Sequence, residues 1–385
     1  MIEDWQAGGF GLYVHWPFCA AKCPYCDFNS HVSRTIDQEE WARAYQQELE
    51  RVGAETSGRI LNSIFFGGGT PSLMDPDTVA GIIETARRIW RTSNDMEITL
   101  EANPGSVEAR RFAAYRAGGV NRISMGIQAL NDNDLKRLGR IHTVAEAQAA
   151  FDIARSTFDR VSFDLIYARQ DQTLAEWATE LKQALGMAVD HLSLYQLTIE
   201  DGTAFGDRYA IGKLRGLPND DLAADMYCAT RDICESHGMP AYEVSNHAAP
   251  GSESRHNLIY WRYGDYIGIG PGAHGRVTLN GRRHATECWS NPQKWLDAVA
   301  QGTGEKPRSL LSRTDQANEY LMMSLRVSDG LDVQRYTALA GQPPDQAARD
   351  NLADLDMITD TVSNICITNQ GVMVLNAVIE ELLIA

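Results

Sequence analysis

What this sequence has little of narrows it first. No stretch approaches the ~20 consecutive apolar residues of a membrane span. The amino end, MIEDWQAGGFGLYV, is acidic and lacks the basic-then-apolar layout of a secretory leader. A cytoplasmic protein is therefore expected. Positive charge is scarce: 35 lysines and arginines stand against 51 acidic residues, a formal net charge of −16. So acidic a chain is poorly suited to nucleic acid or an anionic membrane as its main partner. A small basic pocket for an anionic ligand stays open. There are seven cysteines. Their odd number, wide scatter and the missing leader argue against a disulfide framework. Cys228, Cys234, Cys288 and Cys366 read as reduced, half-buried core residues.

The other three cysteines fall together as Cys19, Cys23 and Cys26, in HWPFCAAKCPYCDF. The spacing is C-x3-C-x2-C, with no fourth thiol nearby. A structural zinc site closes with four ligands, usually as two pairs. Here the fourth would be His15, His31 or a distant residue. Three thiolates without a partner pair suit a [4Fe-4S] cluster, holding three irons and leaving the fourth open to an exchangeable ligand. The spacing favours the cluster, with zinc and plain structural cysteines as the alternatives.

The 385 residues suggest two or three domains. Strand and helix signals alternate over the first two-thirds. Strands are expected at Gly11–His15, Ile60–Phe66, Glu97–Glu101, Asn121–Gln128, Arg160–Tyr167 and His191–Leu197. Helical patterns lie between them. One carries Trp41, Tyr45, Leu49 and Val52; others span Pro76–Arg91, Val107–Ala117 and Leu174–Met187, with two short helices after Gln128. Such alternation implies parallel pairing through right-handed crossovers. Six βα units fit an open, partial barrel better than a closed eight-unit one, and a doubly wound sheet is the alternative. Beyond Asn219 a helix over Asp220–His237 and a last strand in AYEVSNHA are expected. An aromatic, glycine-rich stretch, Arg255–Gly275, follows. The last 80 or so residues read as a small helical, winged-helix-like unit. Its helices lie at Thr314–Arg326 and Gln346–Met357, its two-stranded wing turns around Asn369–Gly371, and a final helix closes it. The expected division is a core over 1–245, a connecting segment over 246–305 and a small domain over 306–385.

Polar residues recur at equivalent places. The cysteine loop follows the first strand and GGGTP (Gly67–Pro71) the second. Glu101 ends the third and Gln128 the fourth, Asp164 lies late in the fifth and Gln196 late in the sixth. Parallel α/β folds build their sites at these carboxyl ends. Three glycines after a strand let backbone approach a ligand closely, although alone they also describe a tight turn, and the lysine of a phosphate-binding loop is missing. Glu101, Gln128, Arg140 and Asp164 each have a bland reading as surface or capping residues. Gathered at one barrel mouth they supply what a zwitterionic nucleoside needs. A guanidinium pairs with its carboxylate, and carboxylates accept from its ammonium and ribose hydroxyls.

CAAKCPYC, preceded by YVHWPF and followed by GGGTP, resembles the radical S-adenosylmethionine (SAM) superfamily over roughly residues 10–250. YVHWPFC, FGGGTPS, LEANP, SMGIQ, LGRIH and FDLIYA resemble the branch that holds oxygen-independent coproporphyrinogen III oxidases and haem chaperones. The resemblance implies a partial (β/α)6 barrel, a [4Fe-4S] cluster on Cys19, Cys23 and Cys26, and exchangeable SAM on its open iron. It implies a cofactor pocket of Tyr13, Tyr25, Gly68, Gly69, Thr70, Glu101, Gln128, Arg140 and Asp164. It also implies an electron donor where the cluster is reduced.

Three features separate the two activities within that branch. The oxidase resembled here carries a further cysteine two residues after the third, where this chain has Phe28. It also carries an extension ahead of the motif, where this chain has only 12 residues before Tyr13. HNLIYW (His256–Trp261) matches a motif associated with haem in the chaperone group, implying His256, Asn257, Tyr260 and Trp261 as haem contacts. An imidazole can ligate iron, and aromatics can flank a porphyrin. The bland reading is a buried aromatic segment with a capped histidine. Whether His256 ligates or only lines is open, and His274 in GPGAHG is a second candidate. The expectation is a haem chaperone that passes haem to an acceptor haemoprotein, with no catalytic residue assigned and enzyme status open. The alternative is the oxidase itself, removing two propionate carboxyls from a porphyrinogen.

Overall fold

The computed structural model describes residues 3–33 and 35–384. Its framework is one eleven-stranded sheet. The strands are β1 (Phe10–Trp16), β2 (Ile60–Gly68), β3 (Arg91–Ala102), β4 (Arg122–Gln128), β5 (Arg160–Tyr167), β6 (His191–Gln196), β7 (Asn246–Ala248), β8 (Asp265–Ile269), β9 (His274–Leu279), β10 (Arg282–Glu287) and β11 (Ser309–Leu310). Their spatial order is β11-β10-β9-β8-β1-β2-β3-β4-β5-β6-β7. β1 to β6 run parallel, each crossover carrying helix, as a partial barrel requires.

The strands largely alternate apolar and polar residues, which is unusual for parallel sheets buried on both faces. Leu12, Val14, Ile64, Phe66, Ile98, Leu100, Ile123, Met125, Val161 and Phe163 are all fully or almost fully buried in one core. The helices Gln38–Glu55, Pro76–Ile89, Val144–Thr157 and Leu174–Met187 supply its other side, through Tyr45, Leu49, Ile83, Phe151 and Trp177. The intervening positions are polar yet also buried: Ser63, Glu97, Thr99, Ser124, Ser162 and Ser193. Register places Glu101 opposite Ser124, Ser124 opposite Ser162, and Asp164 opposite Ser193. A period-2 pattern thus gives an apolar outer face for helices and a hydroxyl-lined interior for ligand.

The sheet extends past the six expected βα units. β8 joins β1 as a seventh parallel strand, and β9 to β11 continue antiparallel beyond it. Residues 246–305 therefore carry sheet and helix, including the helix Arg255–Trp261. β8 was hidden because DYIGI lies in a glycine-rich stretch without its own crossover helix after it. The expected helix over Val107–Ala117 is broken into Ser106–Ala109 and Phe112–Ala117. In AYEVSNHA only Asn246–Ala248 is strand, and it pairs antiparallel with β6.

The last 70 or so residues enclose a second core around Leu321, Tyr336, Ile365 and Val378. The helices Arg313–Ser324, Val333–Ala340, Gln346–Asp354 and Leu375–Leu382 surround it. The wing is present but turns at residues 361–363, between strands Ile358–Asp360 and Asn364–Ile367. Asn369–Gly371 suggested a turn for the wrong reason. A side chain at Gly371 would stand 1.9 Å from the Met357 carbonyl oxygen, so that glycine serves close packing. Among the described residues no helix is long and apolar enough to cross a membrane.

A buried ionic knot holds the amino ends of β1 and β8. Asp265 is fully buried, takes Arg59 at 2.7 Å and Arg283 at 3.4 Å, and accepts the Thr278 hydroxyl at 3.1 Å. Breaking one side of such a group strands the other charges. Asp265→Ala is expected to lower the unfolding free energy by about 3–5 kcal/mol, read from the denaturant midpoint. A loss below about 1 kcal/mol would mean that water relieves both arginines.

Candidate functional site

The chain between β1 and the short strand His31–Val32 carries the three cysteines, and it is fastened on every side. Gly69 N–H donates to the Trp16 carbonyl at 2.7 Å and Thr70 N–H to that of Phe18 at 2.8 Å. The Phe205 N–H donates to the Pro24 carbonyl at 2.8 Å. His15 Nε2 meets the Asn29 carbonyl at 2.9 Å, and the Asn29 amide reaches the carbonyls of Pro271 (2.8 Å) and Ser290 (2.9 Å). Two amides of GGGTP thus fasten the last residue of β1 and the chain just before Cys19. Why glycine is needed is geometric. A Cβ at Gly69 would stand 2.7 Å from the Phe18 oxygen and 3.0 Å from Cys19 Sγ, while Gly68 sits at φ 112°. Gly139 of LGRIH does the same from the other side, since a Cβ there would lie 2.5 Å from Pro24 Cδ.

Cys19 is buried, and Cys23 and Cys26 are half-buried. Burial raises the Cys19 and Cys26 thiols, while hydrogen bonding to Thr70 and Ser30 on the first, and to the Phe28 amide and Ser30 on the second, lowers them. Among the described residues no three His, Cys, Asp or Glu side chains converge as ligands of a single metal ion. The Arg140 guanidinium stands over the loop. Nη1 lies 3.3 Å from Cys23 Sγ, and Nη2 donates to Asn103 Oδ1 at 2.6 Å and to the Gly126 carbonyl at 2.8 Å. Its Nε is buried without a partner among the described residues, the kind of donor a ligand carboxylate satisfies.

Around this opening lie the ends of β3 to β5. Burial and the neighbouring Asp164 carboxyl push Glu101 up to about 8, against the Gly68 N–H and Arg122. Burial pushes Asp164 up to about 6, against hydrogen bonds from Ser193 and Ser124 and the Arg122 charge. Glu101 and Asp164 are thus a close pair of carboxyls at the strand ends. Gln128 adopts φ 74°, where the β4–β5 register slips between Met125 and Gln128. A non-glycine residue there is strained, and strain of this kind collects at ligand sites.

The structure brings Tyr25, Gly68, Gly69, Thr70, Glu101, Gln128, Arg140 and Asp164 to the mouth with the cysteines. Tyr13 sits one layer deeper in β1, its hydroxyl 3.0 Å from His15 Nδ1 and its ring stacked on Phe65. Sequence reasoning passed over Asn103, which reads as a strand-closing turn but orients Arg140, and over Asn29 and Ser30, which fasten the loop and its thiols. Their signal was position alone: Asn29 and Ser30 lie three and four residues after Cys26.

His256, Asn257, Tyr260 and Trp261 lie on a helix beneath the mouth, with the His256 ring 6.4 Å from that of Tyr13. The helix Arg255–Trp261 closes the opposite, amino-terminal end of the barrel. His256 is buried, with Nδ1 2.7 Å from Ser63 Oγ and Nε2 2.6 Å from Tyr260 Oη. Its ring stacks on Phe65 at 5.1 Å, and burial drives its pKa down to about 3, keeping it neutral. Trp261 Nε1 is buried without a partner among the described residues.

Comparison with known proteins identifies the family and the fold. The Radical SAM superfamily profile matches residues 13–184, and the HemN C-terminal domain profile matches residues 311–374. The heme chaperone HemW of Escherichia coli K12 is 37% identical over 374 residues, 96% of this chain and 97% of that protein. The bovine mitochondrial radical S-adenosyl methionine domain-containing protein 1 is 40% identical over 84% of this chain and 75% of its own length. The solved coproporphyrinogen III oxidase (HemN) of Escherichia coli superposes with a TM-score of 0.81, covering 98% of this chain and 92% of that one. At 22% identity it speaks for the fold alone.

Proposed function

The chain belongs to the radical SAM superfamily, in the branch that carries a HemN C-terminal domain, and on that premise we propose that it is a haem chaperone. It binds haem and passes it to an acceptor haemoprotein. The observation that carries this reading is the near end-to-end similarity to heme chaperone HemW, 37% over 96% of the chain. Phe28, exposed where the oxidase pattern places a further cysteine, points the same way.

Cys19, Cys23 and Cys26 would hold the [4Fe-4S] cluster, and the free Arg140 Nε, Glu101, Gln128 and Asp164 suit the carboxylate, ammonium and ribose of SAM. Those groups, when bound, supply one-electron chemistry. The chain's own residues do the rest. Gly68 and Gly69 admit the loop at contact distance, and Asn103 and the Gly126 carbonyl hold Arg140 toward Cys23. The buried hydroxyls of Ser124, Ser162 and Ser193 line the interior beside Asp164.

The test is anaerobic and uses one preparation. Reconstituted protein should bind about one haem per chain and load an apo-haemoprotein. Conversion of coproporphyrinogen III to protoporphyrinogen IX by reduced, SAM-supplied protein would replace this reading with the oxidase.

A further inference from the structure

We propose that the haem iron is held by His274, on a patch beside the cysteine loop, and that HNLIYW acts from the far end of the barrel as its floor. This rests on the haem reading above and names the site for it.

The nine histidines of the chain narrow quickly. His15, His142, His191, His247 and His256 are buried. His256 has both ring nitrogens engaged, by Ser63 and Tyr260, and lies between Gly11 and Phe65, where a Cβ on Gly11 would stand 3.3 Å from its ring. A planar macrocycle cannot reach it without withdrawing the helix Arg255–Trp261. His284 is half-buried within β10, its Nδ1 enclosed. His237 caps the helix Asp220–Ser236, where its Nδ1 meets the Ile233 carbonyl at 2.7 Å. His31 is half-buried, with Nε2 3.2 Å from Asn29 Oδ1. His274 is exposed, at the start of β9.

Its surroundings have the chemistry that haem demands: an imidazole for iron, cations for propionates and aromatic surface. His274 pairs with Glu287 across β9 and β10. Lys306 binds Glu287 side chain to side chain from the next segment of chain. His274 and Glu287, directly opposed, point to one face, and the Lys306 side chain reaches Glu287. Lys306, held on Glu287, thus brings a cation to the strand that faces His274. Trp289 carries Lys294 over its ring at 3.3 Å and Lys306 at 5.5 Å. The chain has only six lysines, and two gather on this one indole. Asn29, which holds Pro271 and Ser290, ties the patch to the cysteine loop, and Phe28 stands exposed next to it. A cavity of about 780 Å³ at the other end of the sheet, lined by Trp5, Arg59 and Ile60 among others, offers no histidine, cysteine or methionine to iron.

Haemin is titrated into the full, cluster-loaded chain without oxygen, and absorption and EPR spectra are recorded. His274→Ala should bind at least about tenfold more weakly and lose the imidazole-ligated signature, which added imidazole restores. His256→Ala should keep that signature and instead lower the unfolding midpoint. Lys294→Ala with Lys306→Ala should weaken haem several-fold, yet leave haem with esterified propionates unaffected. A His274→Ala protein with the parental spectrum and affinity would overturn the assignment. So would a His256→Ala protein whose lost signature imidazole restores. A parent that binds no haem at all would overturn the chaperone reading itself, a result distinguishable from either.

Discussion

Cys23→Ser protein, reconstituted anaerobically, is expected to be colourless and to contain almost no iron or acid-labile sulfide, against about four of each per parental chain. Cys23 is the thiol on which the rest of the site converges. Arg140 Nη1 lies 3.3 Å from its sulfur, and its own carbonyl accepts the Cys26 N–H at 3.2 Å. A serine oxygen is a poor, hard ligand for iron in a sulfur-ligated cluster, and two remaining thiolates do not retain one. The loop itself should survive. Its fastenings run through Gly69, Thr70, Asn29 and Phe205, none of which involves the Cys23 side chain. Unchanged far-ultraviolet circular dichroism with iron lost is therefore the expected pair of results. Cluster-free protein with stoichiometric zinc on the parental chain, and no sulfide, would sink the cluster assignment. A Cys23→Ser variant that retains a full complement of iron would sink Cys23 as a ligand.

Much of this architecture was legible because local and global signals agree. β5 and the helix Leu174–Met187 fall where hydrophobic period and capping place them. Thr173 and Glu176 form a complete capping box at that helix's start. The polar strand ends were legible for the same reason, since a carboxylate late in a buried strand has no packing role. What escaped depended on contacts far apart in sequence. β8 adds to β1 after almost 250 intervening residues, and nothing in DYIGI announces its partner. His256 illustrates the limit most sharply. Its bond to Tyr260 follows from helical i, i+4 spacing, but the one to Ser63 spans 193 residues. Only that second contact shows both ring nitrogens of His256 engaged. The wing turn was misplaced because residues 361–363 lack glycine, whereas Gly371 has one for packing against Met357.

Glu101 should make both stability and cofactor affinity depend on pH, in opposite senses. Its folded value is about 8, whereas an unfolded glutamate titrates near about 4.3. The folded chain without ligand therefore binds the proton more tightly than the unfolded chain. Its stability contribution is complete below about pH 4.3 and is lost as pH rises through 8, so ligand-free protein should weaken across that window. The cause is burial first and Asp164 second, and Glu101→Gln should flatten the profile. A bound cation reverses the preference. An ammonium or sulfonium near Glu101 favours the carboxylate, so binding at pH 7 must expel a proton. Affinity for SAM should then rise with pH, by up to about tenfold per unit between 6 and 8, and level off above. Isothermal titration in two buffers of different ionisation enthalpy counts the released proton directly. Glu101→Gln should release none from this position and lose about 10- to 100-fold in affinity at pH 8, with little change at pH 6. Asp164, at about 6, would contribute a second and smaller release at the acid end. SAM binding that is flat from pH 6 to 8 and proton-neutral in both buffers would show that the cation lies away from Glu101. The buried carboxyl pair would then be part of the barrel's own hydroxyl-lined interior, satisfied by Ser124, Ser193 and the Gly68 amide rather than by ligand.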